Sequence, residues 1–306
     1  MNLKQIKQKL YENRLRISYG INYLDIILKG VFSNELVIIG ARSGSGKSTI
    51  ASNIAKKNSR EGKKVVLFSL ENDEGSTFLE EVYKHYKALS AIKLSLREFL
   101  KDYSLLDNEL LQNSIDRAKE TFQNIHLVER KPEGFNIRDM ADSMVKLSRE
   151  YHPDVFIIDH IDYFDMHNPN ANENQNISEI MKEIRAIQGV YGIPVILISH
   201  LKKGVRDSIV PTLEDFFGTS NKVKEATTVI LFAPDDETNS HEPSDIKNTW
   251  VCIRKDRFGG YKNTVANIGF DTRINEYRKW YDLYSINYWG DKVEKIEQKE
   301  EVSYEM

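Results

Sequence analysis

A glycine- and serine-rich segment between an apolar run and a helical pattern constrains this chain most. The segment VIIGARSGSGKSTIASNIAKK extends from Val37 to Lys57. Its apolar start predicts a strand, and its second half predicts a helix. Glycines in such a turn allow backbone N–H groups to point inward around an anion, at the positive end of the helix dipole. The segment therefore predicts a phosphate-binding loop in an α/β domain.

The register of this loop departs from the strict pattern at one position. That pattern is Gly, four residues and then Gly-Lys-Ser/Thr, and Ala41 stands first here. Lys47 is expected to reach the β- and γ-phosphates, and the Ser48 hydroxyl to ligate Mg²⁺. A flexible turn is the alternative, but such a match is rare by chance and the strand–helix context is met. We predict an ATP and Mg²⁺ site whose nucleotide-binding residues are Ala41, Arg42, Ser43, Gly44, Ser45, Gly46, Lys47, Ser48 and Thr49.

Two acidic residues after apolar runs are candidates for the chemistry of hydrolysis. DVFIIDHIDYF ends an apolar run at Asp159, where a Mg²⁺ site beside a phosphate loop needs a carboxylate. Many loader-type ATPases place a glutamate at the next position, which is His160 here. In VVLFSLENDEGS, Glu71 follows a strand and is the candidate that orients the attacking water. The simpler alternatives are a strand-capping aspartate and a solvated loop acid.

Composition limits the compartment and the class of protein. The chain has 306 residues, a formal net charge of −3 and a single cysteine, Cys252. One cysteine excludes a disulfide framework and favours a reducing compartment. No apolar stretch approaches the roughly 18 residues of a membrane span, so we expect a soluble cytoplasmic protein with no membrane partner.

Apolar runs alternate with helical patterns along the chain. Continuous runs such as DVFIID and PVILIS favour strands covered on both faces, hence a parallel sheet with helical crossovers. The predicted strands are 36–40, 64–70, 126–129, 155–159, 195–199, 228–232 and 250–254. Residues 70–126 are predicted to be mainly helical. Polar loops are predicted at 163–176 and in FAPDDETNSHEPSDIKNT, which joins two late strands.

The ends of the chain differ from its centre. Leu3, Ile6 and Leu10 recur at helical spacing and predict a short helix over residues 2–13. The last sixteen residues hold six acids and three bases, and we predict a disordered tail there. The predicted division is a docking helix over 1–14, an ATPase domain over 15–285 and an acidic tail over 286–306.

Taken in order, these segments resemble the ATPase domain of DnaB-type replicative helicases, a family that includes phage and mitochondrial ring helicases. The similar segments are YGINYLDIILKG, ARSGSGKS, LFSLEN, FNIRDMADSMVKLSREYHPDVFIIDHIDYF, NENQNISEIMKEIRAIQGVYGIPVILISHLKK, PTLEDFFGTSNKVKEATTVILF and IRKDRFGG. The resemblance covers roughly residues 14–280. It implies a RecA-like P-loop NTPase, with a largely parallel central sheet flanked by helices and a short N-terminal linker-type helix.

The resemblance also implies roles for individual residues. It implies that His200 is a polar sensor of the γ-phosphate. It also implies that Lys255 and Arg257 form a finger that reaches the neighbouring subunit in a ring of six subunits. The predicted catalytic residues are Glu71, Lys47, Asp159, His200, Lys255 and Arg257, and the predicted metal ligands are Ser48 and Asp159. A basic hairpin and a polar strand cap are the simpler alternatives for the finger and the sensor.

Single-stranded DNA is the predicted polymeric partner. HLKKGVRD places a basic patch directly after His200, where phosphate contacts are favoured over an idle solvated face. The resemblance adds two loops that would face the DNA. The predicted DNA-binding residues are Asn172, Asn174, Lys202, Lys203, Arg206, Gly218, Thr219 and Ser220. No base-reading pattern is present, so we expect sequence-independent binding.

The resemblance implies an ATP-dependent, hexameric DNA helicase that translocates on single-stranded DNA and unwinds duplex during replication. A homo-hexamer would have the N-terminal helix docked on the adjacent subunit, and a primase or helicase loader is a candidate partner. The alternative is a RecA-like accessory ATPase that binds single-stranded DNA without unwinding. A pseudo-ATPase is disfavoured because Lys47, Ser48, Glu71, Asp159 and Arg257 are all present.

Overall fold

Apolar runs form the central sheet of the molecule. The computed structural model describes residues 2–12, 17–42, 45–70, 73–90, 94–101, 106–130, 134–160, 173–201, 209–215, 223–241, 245–259, 264–286 and 293–296. Its strands are β1 (Leu36–Ala41), β2 (Val65–Ser69), β3 (Ile125–Glu129), β4 (Val155–Asp159), β5 (Val195–His200), β6 (Thr228–Pro234), β7 (Ile246–Asp256), β8 (Thr264–Asp271), β9 (Glu276–Ile286) and β10 (Val293–Lys295). Over these ranges they form a ten-stranded sheet in the order β10-β9-β8-β7-β6-β1-β5-β4-β2-β3.

The half of the sheet from β6 to β3 is parallel. Every residue of β1 and β4 is buried, which explains why these strands appear in the sequence as uninterrupted apolar runs. All seven predicted strands are present. The predicted α/β fold with a largely parallel sheet is therefore confirmed.

Helices cover both faces of the sheet. They are α1 (Leu3–Glu12), α2 (Asn22–Leu28), α3 (Lys47–Arg60), α4 (Glu74–Leu89), α5 (Leu96–Lys101), α6 (Asn108–Phe122), α7 (Ile137–Glu150), α8 (Glu173–Tyr191) and α9 (Asp236–His241). The predicted N-terminal helix and the helical region between β2 and β3 are confirmed. No helix in the described part of the chain is long and apolar enough to cross a membrane.

Alternate residues of β1 enter two different cores. Leu36 and Ile38 pack in a cluster with Met144 of α7 and Ile184 of α8. Val37 and Ile39 pack on the opposite face in a cluster that includes Leu24 of α2 and Ile54 of α3. This alternation follows from the period of two along a strand. It fixes the phosphate loop, which joins β1 to α3, between two rigid layers.

A buried carboxylate joins α3 to α4. The side chain of Glu81 is fully buried, with Oε2 at 2.6 Å from Lys56 Nζ and Oε1 at 3.3 Å from Arg60 Nη2. His85 Nε2 lies 3.3 Å from the same Oε1, and Lys84 is close. Burial alone would raise the pKa of Glu81, but the hydrogen bond from His85 and the charges of Lys56 and Lys84 lower it well below its usual value. The charge cluster therefore holds α4 against the helix that starts at the phosphate loop.

The structure corrects several predicted boundaries. The predicted loop at 163–176 is wrong at its end, because α8 begins at Glu173 and its core-facing isoleucines start at Ile177. The loop predicted between late strands contains α9, and β6 and β7 extend into it. Disorder is wrong for Val293–Lys295, which pair with β9 as an antiparallel strand. Backbone hydrogen bonds to the edge of the sheet order this short, mainly polar segment.

Candidate nucleotide-binding site

The described end of the phosphate loop has the backbone that Gly46 predicts. Gly46 has φ +69°, in the left-handed region, and it is the N-cap residue of α3. A residue with a Cβ would be strained there. Ser45 N donates to Arg42 O at 3.1 Å, which folds the chain back before Lys47 opens the helix. The N-terminal N–H groups of α3, including those of Ser48 and Thr49, are thus directed toward the position of an anion. Ser43 and Gly44 lie outside the described residues.

The carboxyl ends of four parallel strands meet at this loop. Ala41 of β1 is in register with His200 of β5, and Leu201 N donates to Ala41 O at 3.1 Å. Ser69 of β2 is in register with Asp159 of β4. The predicted loop, sensor and metal carboxylate therefore share one edge of the sheet, where ligands of such folds bind.

Ser48 and Asp159 line one cavity of about 160 Å³. Asp159 is 5% exposed, and the cavity wall also contains Ser69, Ser52 and Thr77, so the lining is predominantly polar. A hydroxyl and a carboxylate are oxygen donors of the kind that Mg²⁺ prefers when nucleotide phosphates and water complete its coordination. These residues fit the predicted metal. Within the described ranges no group of three or more His, Cys, Asp or Glu could hold a metal alone.

The catalytic glutamate predicted at position 71 lies outside the described residues. The chain on both sides of it is fixed. Leu70 N donates to Asp159 O at 3.1 Å. Asp73 caps α4, accepting from Ser76 N at 2.8 Å. Position 71 therefore directly follows Leu70, whose backbone is hydrogen-bonded to that of Asp159, the predicted metal ligand.

The predicted sensor contacts another histidine. His200 Nε2 lies 3.1 Å from His160 Nε2, with ring centroids 4.3 Å apart and planes at 86°. His160 is 4% exposed. In the sequence it stood out only as the residue that replaces a glutamate. The pairing depends on the parallel contact between β4 and β5, which a single sequence does not specify at side-chain level.

The two residues of the predicted finger have different environments. Lys255 Nζ donates to the main-chain oxygens of Val223 at 2.6 Å and Lys224 at 3.3 Å, within its own chain. Burial, with the charges of Arg257 and Arg185, lowers the pKa of Lys255. Arg257 is exposed in the turn after β7, and its backbone N donates to Thr227 O at 3.0 Å. The side chain of Arg257 thus faces solvent, whereas that of Lys255 anchors the segment before β6.

An ion pair links the phosphate loop to the segment before the second predicted DNA loop. Arg42 Nη2 lies 3.8 Å from Asp215 Oδ2, and Asp215 is 5% exposed. Asp215 closes a single 3₁₀ turn, Leu213–Asp215, and its carboxylate accepts from Thr212 N at 2.7 Å. No pattern in the sequence indicates the role of Asp215, because its partner Arg42 lies far away along the chain.

The predicted DNA-binding residues fall almost entirely outside the described ranges. This holds for Asn172, Lys202, Lys203, Arg206, Gly218, Thr219 and Ser220. Asn174 lies in the first turn of α8, and only its backbone is described. The described ranges that precede the predicted DNA-binding segments end at His160, Leu201 and Asp215. After the last of these segments, the described chain begins again at Val223.

A second cavity, of about 240 Å³, is lined in part by the turn that follows β7. Glu35, Asp256 and Phe258 are among its lining residues. Burial raises the pKa of Glu35 to about 7, against a hydrogen bond from Phe32 N that lowers it. The folded protein therefore keeps Glu35 protonated at a pH where the unfolded chain ionises it.

This shift predicts a pH dependence of stability. The folded-state pKa is above the unfolded one, so ionisation of Glu35 removes stability as pH rises from 4.5 to about 7. In Glu35→Gln that loss is absent, so the unfolding free energy of the variant relative to wild type should rise by up to about 3 kcal/mol between about pH 5 and pH 8. Chemical denaturation at both pH values measures it. An unchanged difference would contradict the assignment.

Comparisons with known proteins agree with this geometry. The family profile described as DnaB-like helicase C terminal domain matches residues 16–279. A probable plasmid replicative DNA helicase of Chlamydia muridarum is 28% identical over 83% of this chain and 53% of its own length. The replicative DNA helicase DnaC of Bacillus subtilis is 23% identical over 92% of this chain and 62% of its own. The chain thus spans about half the length of the curated relatives it matches first.

Solved structures show the same fold. The ATPase domain of G40P superposes with a TM-score of 0.74 at 18% identity, covering 91% of this chain and 99% of that one. A KaiC-like protein of Pyrococcus horikoshii superposes with a TM-score of 0.56 at 17% identity, covering 86% and 97%. The RecA-like architecture predicted from the sequence is therefore confirmed.

Proposed function

Because this chain belongs to the family of DnaB-like helicase C-terminal domains, we propose that it is an ATP-dependent ring helicase that translocates on single-stranded DNA and unwinds duplex during replication. Relatives named replicative DNA helicases support the activity. The bacterial sources of these relatives support the cytoplasm of a bacterial or phage-infected cell as the compartment.

The position of Arg257 carries the proposal of a ring. Arg257 N bonds to Thr227 O, and Thr227 N bonds to Leu36 O, at the start of β1. The phosphate loop follows Ala41, at the other end of that strand. Five residues of extended chain span about 17 Å, more than twice the reach of an arginine side chain. Arg257 therefore lies too far to serve its own phosphate loop, and a neighbouring copy would have to receive it.

A closed ring of six copies satisfies every such interface, since a head-to-tail contact closes only with the right rotation. Leu3 of α1 is 66% exposed and Ile6 is 38% exposed. A ten-residue helix is marginal alone in water. We therefore propose that α1 docks on the adjacent subunit.

The residues at the carboxyl edge of the parallel strands would have separate roles in phosphoryl transfer. Backbone N–H groups after Gly46 and the Lys47 ammonium would hold the β- and γ-phosphates. Ser48 and Asp159 would hold Mg²⁺, which neutralises charge on the phosphate oxygens. Glu71 would orient the attacking water, and Arg257 of the next copy would stabilise the charge that develops on the γ-phosphate. The Arg42–Asp215 ion pair would couple the phosphate loop to residues Gly218–Ser220, which are proposed to contact DNA.

Unwinding of a forked duplex tests the proposal. Wild-type protein with ATP and Mg²⁺ should separate the strands, and Lys47→Ala should lose at least about 100-fold in ATP hydrolysis and lose unwinding with it, because the phosphates lose their cation. The exposed Lys279, on β9, offers the matched control Lys279→Ala, which should behave as wild type. ATP-dependent coating of single strands without separation would instead identify the accessory ATPase.

A further inference from the structure

The contact between His160 and His200 joins the strand that ends in the proposed metal ligand to the strand that ends in the proposed sensor. His160 directly follows the metal carboxylate Asp159 at the end of β4, and His200 ends β5. Their Nε2 atoms are 3.1 Å apart, and the rings meet edge to face at 86°. Because His160 is 4% exposed, the ring is held by its surroundings and can in turn hold a neighbour.

Hydrogen bonding restricts what such a pair can do. Of two imidazole nitrogens in contact, one must present an N–H and the other a lone pair. The contact therefore fixes the orientation of the His200 ring and the nitrogen that it turns toward β4. If His200 donates to a γ-phosphate oxygen through its other ring nitrogen, Nδ1, the contact at Nε2 sets the direction in which Nδ1 points.

We propose that His160 is the positioning residue of His200: through the contact between the two Nε2 atoms it orients the His200 ring toward the γ-phosphate. This inference rests on the sensor role proposed for His200. No covalent bond is made or broken. In the sequence, His160 directly precedes the segment in which Asn172 is proposed to contact DNA.

A double-mutant cycle tests the pairing through the kinetics of DNA-stimulated ATP hydrolysis. His200→Ala and His160→Ala should each lower kcat by about tenfold, with KM for ATP changed by less than about twofold, because ground-state binding rests on the phosphate loop. The double variant should be no slower than His200→Ala, since His160 acts only through His200. Losses that multiply would overturn the proposal.

Conservative replacement separates positioning from packing. His160→Gln retains an amide that can bond His200 and should recover kcat to within about threefold of wild type, whereas the apolar His160→Leu should not. Equal losses in both would overturn the proposal, as would full activity of His160→Leu. Thermal unfolding checks that each variant is folded, and His126→Ala, at an exposed position of β3, is the matched control. Full activity of His200→Ala would instead remove the sensor role itself, and with it the premise of the pair.

Discussion

Replacement of Arg257 by alanine is expected to lower kcat for ATP hydrolysis by about 10³-fold or more, while the affinity for a non-hydrolysable ATP analogue changes by less than about threefold. The guanidinium would meet charge that develops only in the transition state, so its loss should spare ground-state binding. Steady-state turnover with saturating single-stranded DNA and analogue titration measure the two quantities. Arg97→Ala removes an exposed arginine of α5 and serves as the matched control.

Mixing two inactive variants tests which copy of the chain supplies Arg257 to a given phosphate loop. Lys47→Ala keeps an intact Arg257, and Arg257→Ala keeps an intact phosphate loop. In mixed rings, an Arg257→Ala loop can meet the finger of a Lys47→Ala neighbour. Roughly a quarter of the interfaces in an equal mixture would then be complete, and turnover should return toward that fraction. A mixture as inactive as its parts, although mass measurements show mixed rings, would argue for a finger that acts within one chain.

The parts of this site that lie in one continuous segment could be predicted from the sequence. The phosphate loop needs a strand, a left-handed glycine and a helix, and all three occur between Val37 and Lys57. Asp159 could be placed because a buried parallel strand leaves an apolar run that the aspartate ends. In both cases the local pattern and the fold agree.

The parts that depend on contacts across the sheet could not be predicted. The strands β8 and β9 were missed because their apolar residues do not form a continuous run: Asn267 and Gly269 interrupt β8, and β9 is half-exposed with polar residues along most of its length. The contact of His160 with His200 requires the register of β4 with β5. Lys255 carries the same charge as Arg257, yet its ammonium is held by two carbonyls of its own chain. Sequence spacing does not separate these two environments.

The burial of Glu81 could not be predicted from the sequence either, and replacement of this residue is the second change with a large expected effect. Its position on α4 gave no sign of burial, yet it is the anion that Lys56 and Lys84 share in the interior. Burial lowers the pKa of Lys84, so its ammonium depends on this partner. We expect Glu81→Gln to lower the free energy of unfolding by about 3 kcal/mol, because removing one member of a buried ion cluster leaves the others uncompensated. Urea denaturation at about pH 7 measures the change.

The dependence of this loss on pH tests its electrostatic origin. The folded-state pKa of Glu81 lies below the usual 4.5, so its contribution is fully present above that value and is lost as pH falls toward the folded pKa. The difference between wild type and Glu81→Gln should therefore be constant at neutral pH and shrink below about pH 4.5. Glu80→Gln, at the exposed neighbouring position, should change stability by less than about 0.5 kcal/mol at any pH. A loss in Glu81→Gln that stays the same in acid would assign the effect to packing rather than charge. The link between α3 and α4 would then be steric.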